Sequence, residues 1–351
     1  MLSVGQLVGN YRIVREIGKG GMGVVFEALH PDIGRRAAVK VLHPELSRNP
    51  DVVARFLNEA RAVNLVRHPG LVQIFEFGRL LDGTVYIVMD FLEGEQLAQR
   101  MSREPLPLAE ALSVVKQLSA ALSAAHDCGI IHRDLKPDNV MLVAELDDRS
   151  QPPRRSLSSV RLLDFGIAKL LQQAGHADGG TTQAAGAAIT PDYASPEQVT
   201  GQPVTTRTDV YSLGLVLFEL LTGVRAHTAD TSSPMALARS ICEVEVARPS
   251  EAAALAGRPV ARLLRGDLDT IVQRATQADP ARRYASVAAL ADDVRRHLDG
   301  RAIVARQDSR AYRLQRFVRR NWLPVAAGAA LVASLTGGIV ATRYQARQAE
   351  R

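Results

Sequence analysis

A chain of 351 residues, 46% of them apolar, can bury a large core, and its length suits about two domains. Its formal charge of +6 is unevenly spread: residues 1–300 carry 33 Lys and Arg against 35 Asp and Glu, whereas the last 51 carry 10 Arg against Asp308 and Glu350. A basic excess confined to one short tail argues against a nucleic-acid-binding globular surface and points to anionic lipid.

The first ten residues lack a basic stretch followed by an apolar run, so no signal peptide is expected. Short alternating, β-branched runs follow at 11–17, 24–29, 37–42, 72–77 and 85–91, which predict a five-stranded antiparallel sheet. One helix interrupts them over 51–66, where Val53, Phe56, Leu57, Ala60 and Val63 recur at helical spacing before His68-Pro69-Gly70. Beyond residue 92 the apolar periodicity turns helical, at 108–126, 208–222, 268–277 and 286–298. A β lobe followed by an α lobe is expected. Residues 145–159, charged and broken by Pro152-Pro153, read as a surface loop between strands at 140–143 and 160–163. The stretch 172–188 is rich in Gly, Ala and Thr and offers few apolar anchors. Cys128 and Cys242 provide no disulfide framework and read as small buried hydrophobes in a reducing compartment.

Four motifs stand in one order. Gly18-Lys19-Gly20-Gly21-Met22-Gly23-Val24-Val25 is a glycine-rich turn between two strands, and Ala37-Ala38-Val39-Lys40 places a lysine in an apolar strand 17 residues after Gly23. His132-Arg133-Asp134-Leu135-Lys136-Pro137-Asp138-Asn139 follows, and 25 residues after Asn139 comes Asp164-Phe165-Gly166. Each alone is a weak signal, but their order and spacing are specific. The chain thus resembles the eukaryotic-type Ser/Thr protein kinases, in particular their bacterial membrane-anchored branch, over roughly residues 8–299. The resemblance implies an α+β, bilobal protein-kinase fold, with an N-lobe at about 8–92 and a C-lobe at about 93–299. It also implies ATP as phosphoryl donor, with Mg²⁺ or alternatively Mn²⁺, and protein substrates bearing Ser or Thr hydroxyls.

Phosphoryl transfer asks a protein mainly to position groups and neutralise charge. Gly18, Gly20 and Gly23 let a hairpin backbone lie close over phosphates, where a side chain would intrude. Lys40 would hold the α and β phosphates, and a lysine in an apolar strand needs a carboxylate partner, for which Glu59 is the candidate. The resemblance makes Asp134 the catalytic base, Lys136 a contact to the γ-phosphate, and Asn139 and Asp164 the metal ligands. Adenine would lie between Ile17, Val25 and Ala38 above and Met141 below, with Met89 behind and the backbone of Asp90 to Leu92 supplying hydrogen bonds. Glu197 of Ala194-Ser195-Pro196-Glu197 is expected to pair with Arg283, and Asp209 to cap the catalytic-loop backbone. Arg133 resembles the phosphate receiver of kinases with a phosphorylated activation segment, with Thr181 and Thr182 as acceptors. Thr190 is retained where such kinases have Gly-Thr, but Ile189 and Pro191 flank it and stiffen the region that docks substrate. A nucleotide-binding module without transferase activity is the other functional class consistent with these motifs.

Residues 322–342 form 21 uncharged positions, enough at about 1.5 Å each to cross a hydrocarbon core of about 30 Å. Arg310, Arg313, Arg316, Arg319 and Arg320 precede the span, and Arg343, Arg347 and Arg351 follow it. The heavier positive side predicts a single-pass helix in the cytoplasmic (inner) membrane with the catalytic part in the cytoplasm. Residues 300–321 are then a basic juxtamembrane linker and 343–351 a short tail that reads as unfinished helix. Ala329, Ala333, Gly337 and Ala341, beside Ala326, Ala330, Ser334 and Gly338, form two small-residue stripes that favour a homodimer.

Overall fold

Six antiparallel strands open the chain, in the order β1-β2-β3-β4-β6-β5: Leu7–Val8, Tyr11–Lys19, Gly23–Leu29, Arg36–Leu42, Val85–Asp90 and, at the far edge, Ile74–Arg79. The computed structural model describes residues 2–147, 154–164, 191–227, 234–306 and 310–349. Five of these strands match the alternating runs. The sixth, β1, is a two-residue strand paired Leu7 to Arg12 and Val8 to Tyr11, too short for alternation to reveal. The strand expected at 72–77 begins two residues later, because Leu71 instead bridges to Leu162.

The two faces of this sheet bury different partners. Ala37, Val39 and Val41 of β4 join Tyr11, Ile13, Phe26 and Val88 in one apolar cluster. Leu42, on the opposite face, joins Val85, Ile87 and two side chains of helix α2 (Pro50–Leu65), Val53 and Phe56. A short helix, α1 (Pro44–Ser47), leads into α2. The even-numbered face of β4 therefore carries Ala38 and Lys40.

The helical part follows. Helices α3 (Leu97–Arg103) and α4 (Leu108–Asp127) precede the catalytic loop, and α5 (Pro196–Val199) and α6 (Thr206–Thr222) come after it. Nearly all of α6 is buried, as its all-round apolar sequence requires. Gly214 lets it approach α10 (Asp267–Ala275), since a Cβ there would lie 2.7 Å from that of Ala275. Helix α6 ends on Gly223 in the left-handed conformation, φ 75°. Helices α7 (Pro234–Glu243), α8 (Pro249–Leu255) and α9 (Ala261–Leu264) lie between α6 and α10, and α11 (Val287–Leu298) follows.

Two expectations need correction. The segment 145–159 is not simply a loop: β8 (Val140–Asp147) and β9 (Arg154–Leu162) continue their pairing through Glu145 to Ser156 and Asp147 to Arg154, and with β7 (Gly94–Gln96) they form a second sheet. Charge and proline content do not exclude backbone pairing on either side of Pro152-Pro153, so composition alone misread the segment. Cys128 is exposed rather than buried, because it caps the end of α4.

The chain divides into two compact units, Met1–Ala291 and Asp292–Arg351. Within the second, the Asp293 carboxylate accepts hydrogen bonds from the amides of Val304 and Ala305, and the Ile303 amide donates to the Tyr312 hydroxyl at 3.2 Å. Tyr312 lies on α12 (Arg310–Arg320), which exposes Leu314 and Phe317, and α13 (Trp322–Ala349) follows. Its first 18 residues, Trp322–Ile339, have a mean hydropathy of 1.6 and none is buried.

Candidate active site

The catalytic-loop backbone is strained and held from beneath. Arg133 has φ 66°, a left-handed conformation that costs a non-glycine residue about 1–2 kcal/mol. The compensation comes from Asp209, fully buried in the first turn of α6. Its Oδ2 accepts from the His132 amide at 2.8 Å and its Oδ1 from the Arg133 amide at 2.9 Å. The same Oδ2 lies 2.7 Å from His126 Nε2, at the end of α4. Asp209 is thus the backbone cap expected from the sequence, while His126, six residues before His132, is an addition. Gln198 is a second addition: its side-chain amide donates to the Arg133 carbonyl at 2.7 Å and ties α5 to the loop.

His132 faces inward. Burial lowers its pKa, so the ring is neutral at pH 7. Its Nε2 lies 3.0 Å from the Leu163 carbonyl, which can only accept, and its Nδ1 takes the Asp134 amide hydrogen at 3.3 Å. One tautomer satisfies both, with the proton on Nε2. The ring therefore fixes Asp134 relative to the residue immediately before Asp164.

At the loop surface, Asp134 Oδ2 receives the Lys136 ammonium at 3.0 Å and Asn139 Nδ2 at 3.1 Å. The Asn139 amide also donates to the Asp134 carbonyl at 2.8 Å, which leaves its oxygen uncommitted in those bonds. The Leu163 amide donates to the Asn139 carbonyl at 2.8 Å, joining the loop to β9 once more.

Lys40 is buried on β4, and its Nζ lies 2.6 Å from Asp164 Oδ2. The carboxylate partner that a buried lysine requires is therefore Asp164 here. The Glu59 side chain lies outside the described residues, and the expected Lys40–Glu59 pair with it. Asp164 keeps 46% of its side chain exposed despite this bond, and among the described residues its φ of 21° is the other positive value at a non-glycine residue. Direct opposition of Val25 to Lys40 and of Glu27 to Ala38 in the β3–β4 ladder puts Val25, Ala38 and Lys40 on one face. Ala38 also opposes Met89, and Met141 opposes Gln96 in the second sheet.

The glycine-rich turn joins β2 to β3, closed by amide-to-carbonyl bonds between Gly20 and Gly23 at 2.9 and 3.3 Å. The three spaced glycines have different reasons. A Cβ on Gly23 would lie 2.0 Å from the Val41 carbonyl, so packing within the sheet demands glycine there. A Cβ on Gly18 or Gly20 would meet nothing within 4 Å, and neither has a positive φ. Nothing within the described protein requires glycine at those two positions, as expected where a ligand approaches the backbone. His43 Nε2 lies 3.0 Å from the Gly20 carbonyl and is an unforeseen tether of the turn.

Away from the cleft, Arg283 and Glu197 form the expected buried pair, with two bonds of 2.8 Å. Burial works to raise the Glu197 pKa, but hydrogen bonds from Arg283 and Thr208 outweigh it and hold the carboxyl below its usual range. Phe165, Gly166, Thr181, Thr182, Ile189 and Thr190 lie outside the described residues.

Comparison with known proteins agrees with this geometry. The sequence profile of the protein kinase domain matches residues 11–294, and the chain belongs to that family. It is 39% identical over 293 residues to serine/threonine-protein kinase Pkn1 of Myxococcus xanthus, covering 82% of this chain and 38% of Pkn1. It is 35% identical over 287 residues to PknJ of Mycobacterium tuberculosis, covering 81% of this chain and 45% of PknJ. The chain thus spans less than half the length of either relative. Among solved structures, the M. tuberculosis PknI kinase domain superposes with a TM-score of 0.63 at 27% identity, covering 85% of this chain and 99% of that one. The fold is the kinase fold, with a sheet-rich N-lobe and a helical C-lobe.

Proposed function

We propose that the chain is an ATP-dependent protein serine/threonine kinase anchored in the cytoplasmic membrane. The observation that carries the reading is a single connected site. Asp134 is fixed by Lys136 and Asn139, and through His132 it is fixed to the strand end bearing Asp164, which in turn holds Lys40. Relatives named serine/threonine-protein kinases support the choice of hydroxyl acceptor.

In this reading ATP with Mg²⁺, or Mn²⁺, supplies the transferable γ-phosphoryl group. The residues suit that group. Gly18 and Gly20 leave room for phosphates beneath the turn, and Lys40 is a buried ammonium aimed at the Asp164 carboxylate. Asp164 and the amide oxygen of Asn139 are hard oxygen donors, and Mg²⁺ prefers few protein ligands of this type. Asp134 orients the substrate hydroxyl and accepts its proton, while Lys136 neutralises charge beside it. Ile17, Val25, Ala38 and Met141 enclose the base, and the backbone of Asp90 to Leu92 reads its edge.

The test is transfer of labelled phosphate by the purified full chain in detergent micelles. Asp134→Asn and Lys40→Met should each lower the rate by about 10²–10⁴-fold with the melting temperature preserved. Near-normal transfer by either folded variant would overturn the assignment, and nucleotide binding without any transfer by the wild type would favour the non-catalytic class.

Regulation and anchoring belong to the same proposal. Thr181 and Thr182 are the expected autophosphorylation sites, with Thr190 nearby in sequence and Arg133 as phosphate receiver; peptide mass spectrometry of active protein tests this. Helix α13 crosses the bilayer, and the arginines of α12 meet anionic lipid on the cytoplasmic side. The exposed small-residue stripes through Ala330, Ser334 and Gly338 favour self-association, which Gly338→Ile should weaken in a membrane two-hybrid assay.

A further inference from the structure

Arg36 opens β4 on the same face as Ala38 and Lys40, and its guanidinium reaches three groups. Nε and a terminal nitrogen donate to Glu27 Oε1 on β3 at 3.0 and 2.8 Å. The other terminal nitrogen bonds the Glu93 carboxylate, and Cζ stands 4.1 Å from the centre of the Phe91 ring. Phe91 and Glu93 lie on either side of Leu92, in the three-residue segment that leaves β6 after Asp90 and enters β7 at Gly94. Glu27 is itself buried and takes a second cation, Arg15 Nε at 2.7 Å, from β2. One planar group therefore grips the crossing segment on both flanks of Leu92 and fastens it to a carboxylate anchored by two strands.

We propose that Arg36 is a positioning residue for the nucleotide: it fixes the crossing segment relative to the sheet face carrying Ala38, and so fixes the slot that receives adenine. This rests on the reading of the cleft as an ATP site. Arg36 touches none of the proposed reacting groups, so its effect is on base binding rather than on transfer. Lysine cannot replace it, since a point ammonium cannot make the fork to Glu27, the bond to Glu93 and the stack on Phe91 together. A plain surface ion pair is the competing description, as Arg36 is 42% and Glu93 72% exposed, and such pairs contribute little.

Calorimetric titration of the full chain in detergent micelles with adenosine and with ADP separates the two. Arg36→Ala should weaken both ligands by the same factor, about tenfold, because the slot that both share has lost its register. Arg36→Lys should recover little, and Glu93→Gln, which keeps the side-chain shape, should show a smaller loss in the same ratio. Lys40→Met, by contrast, should weaken ADP and leave adenosine unchanged. Wild-type affinity for both ligands in Arg36→Ala would overturn the clamp, and should that variant fail to fold, unchanged affinities in Glu93→Gln would do the same. Loss of ADP binding with adenosine unaffected would also overturn it, since the phosphates rather than the base would then be the part sensed. Absence of binding by the wild type would remove the ATP-site reading and the clamp with it.

Discussion

The catalytic loop and the glycine-rich turn both belong to the proposed ATP site, yet they are held in different ways. The loop is fastened from below by fully buried groups, Asp209 and His132, and its strained Arg133 is bonded through both amide and carbonyl. The turn has two glycines with open space around them, its own backbone bonds, a main-chain and a side-chain bond from His43, and one half-buried side chain, Met22, packed beneath the sheet. A group that must present a base at a fixed angle is rigid, whereas a cover that must admit and release a ligand is lightly bound.

Removing the buried support should give the largest effect. Asp209→Ala strips an acceptor from two amides and from His126 in a site without access to water. Each orphaned buried donor costs about 1–3 kcal/mol, so a loss of about 3 kcal/mol or more is expected, with transferase activity falling further than stability. Urea denaturation together with phosphate transfer checks this. A destabilisation below about 1 kcal/mol would mean that the loop holds its own conformation and that the contrast with the turn is overstated.

These two regions also differ in how far the sequence revealed them. The motif residues announced Asp134, Asn139, Lys40 and Asp164, because phosphate chemistry restricts residue type and order. Asp209 was legible too, through the resemblance, which places a carboxylate at this point of the buried helix to cap the catalytic-loop backbone. Gln198 and His43 were not: each makes one bond to a backbone carbonyl, and a carbonyl is present at every residue whatever its type. Arg36 was hidden for a related reason, since its partners at 27, 91 and 93 come together only when three strands and a crossing segment assemble. The expected five-stranded sheet lacked β1 because two residues carry no period, and the β8–β9 extension was concealed by its charged residues and by Pro152-Pro153, which read as a loop.

An intermediate effect comes from pH. Burial lowers the pKa of His132, and likewise of His68 and His227. The unfolded chain takes up protons at these imidazoles near pH 6.5 while the folded chain resists, so stability should fall as pH drops below that value and level off beneath the folded pKa. Each histidine contributes a slope of at most about 1.4 kcal/mol per pH unit. Urea midpoints between pH 7.5 and 5 measure the total, and His132→Gln should reduce the slope. An unchanged slope would show that His132 is protonated as readily in the folded chain as in the unfolded one, and the assigned tautomer would be lost.

The smallest effect should come from the tether of the turn. His43 is half-buried, contributes one side-chain bond of 3.0 Å to the Gly20 carbonyl, and precedes the first turn of α1. A bond of this type contributes about 0.5–1.5 kcal/mol when both partners are ordered, and here the turn is also held by the His43 amide on the Met22 carbonyl at 2.9 Å and by Met22 packing beneath the sheet. His43→Ala should therefore change global stability by less than about 0.5 kcal/mol, because the Met22 packing and the His43 main-chain bond to Met22 do not depend on the imidazole. Its effect should fall on the ligand. A looser turn costs more entropy to order over phosphates, so ADP affinity should drop by about two- to fivefold while adenosine, which has no phosphate, binds as before. The same calorimetric titrations that test Arg36 measure it, and the two substitutions should differ in kind: Arg36→Ala acts on both ligands, His43→Ala on ADP alone. If His43→Ala lowered the urea midpoint as strongly as Asp209→Ala, the turn would be part of the rigid frame.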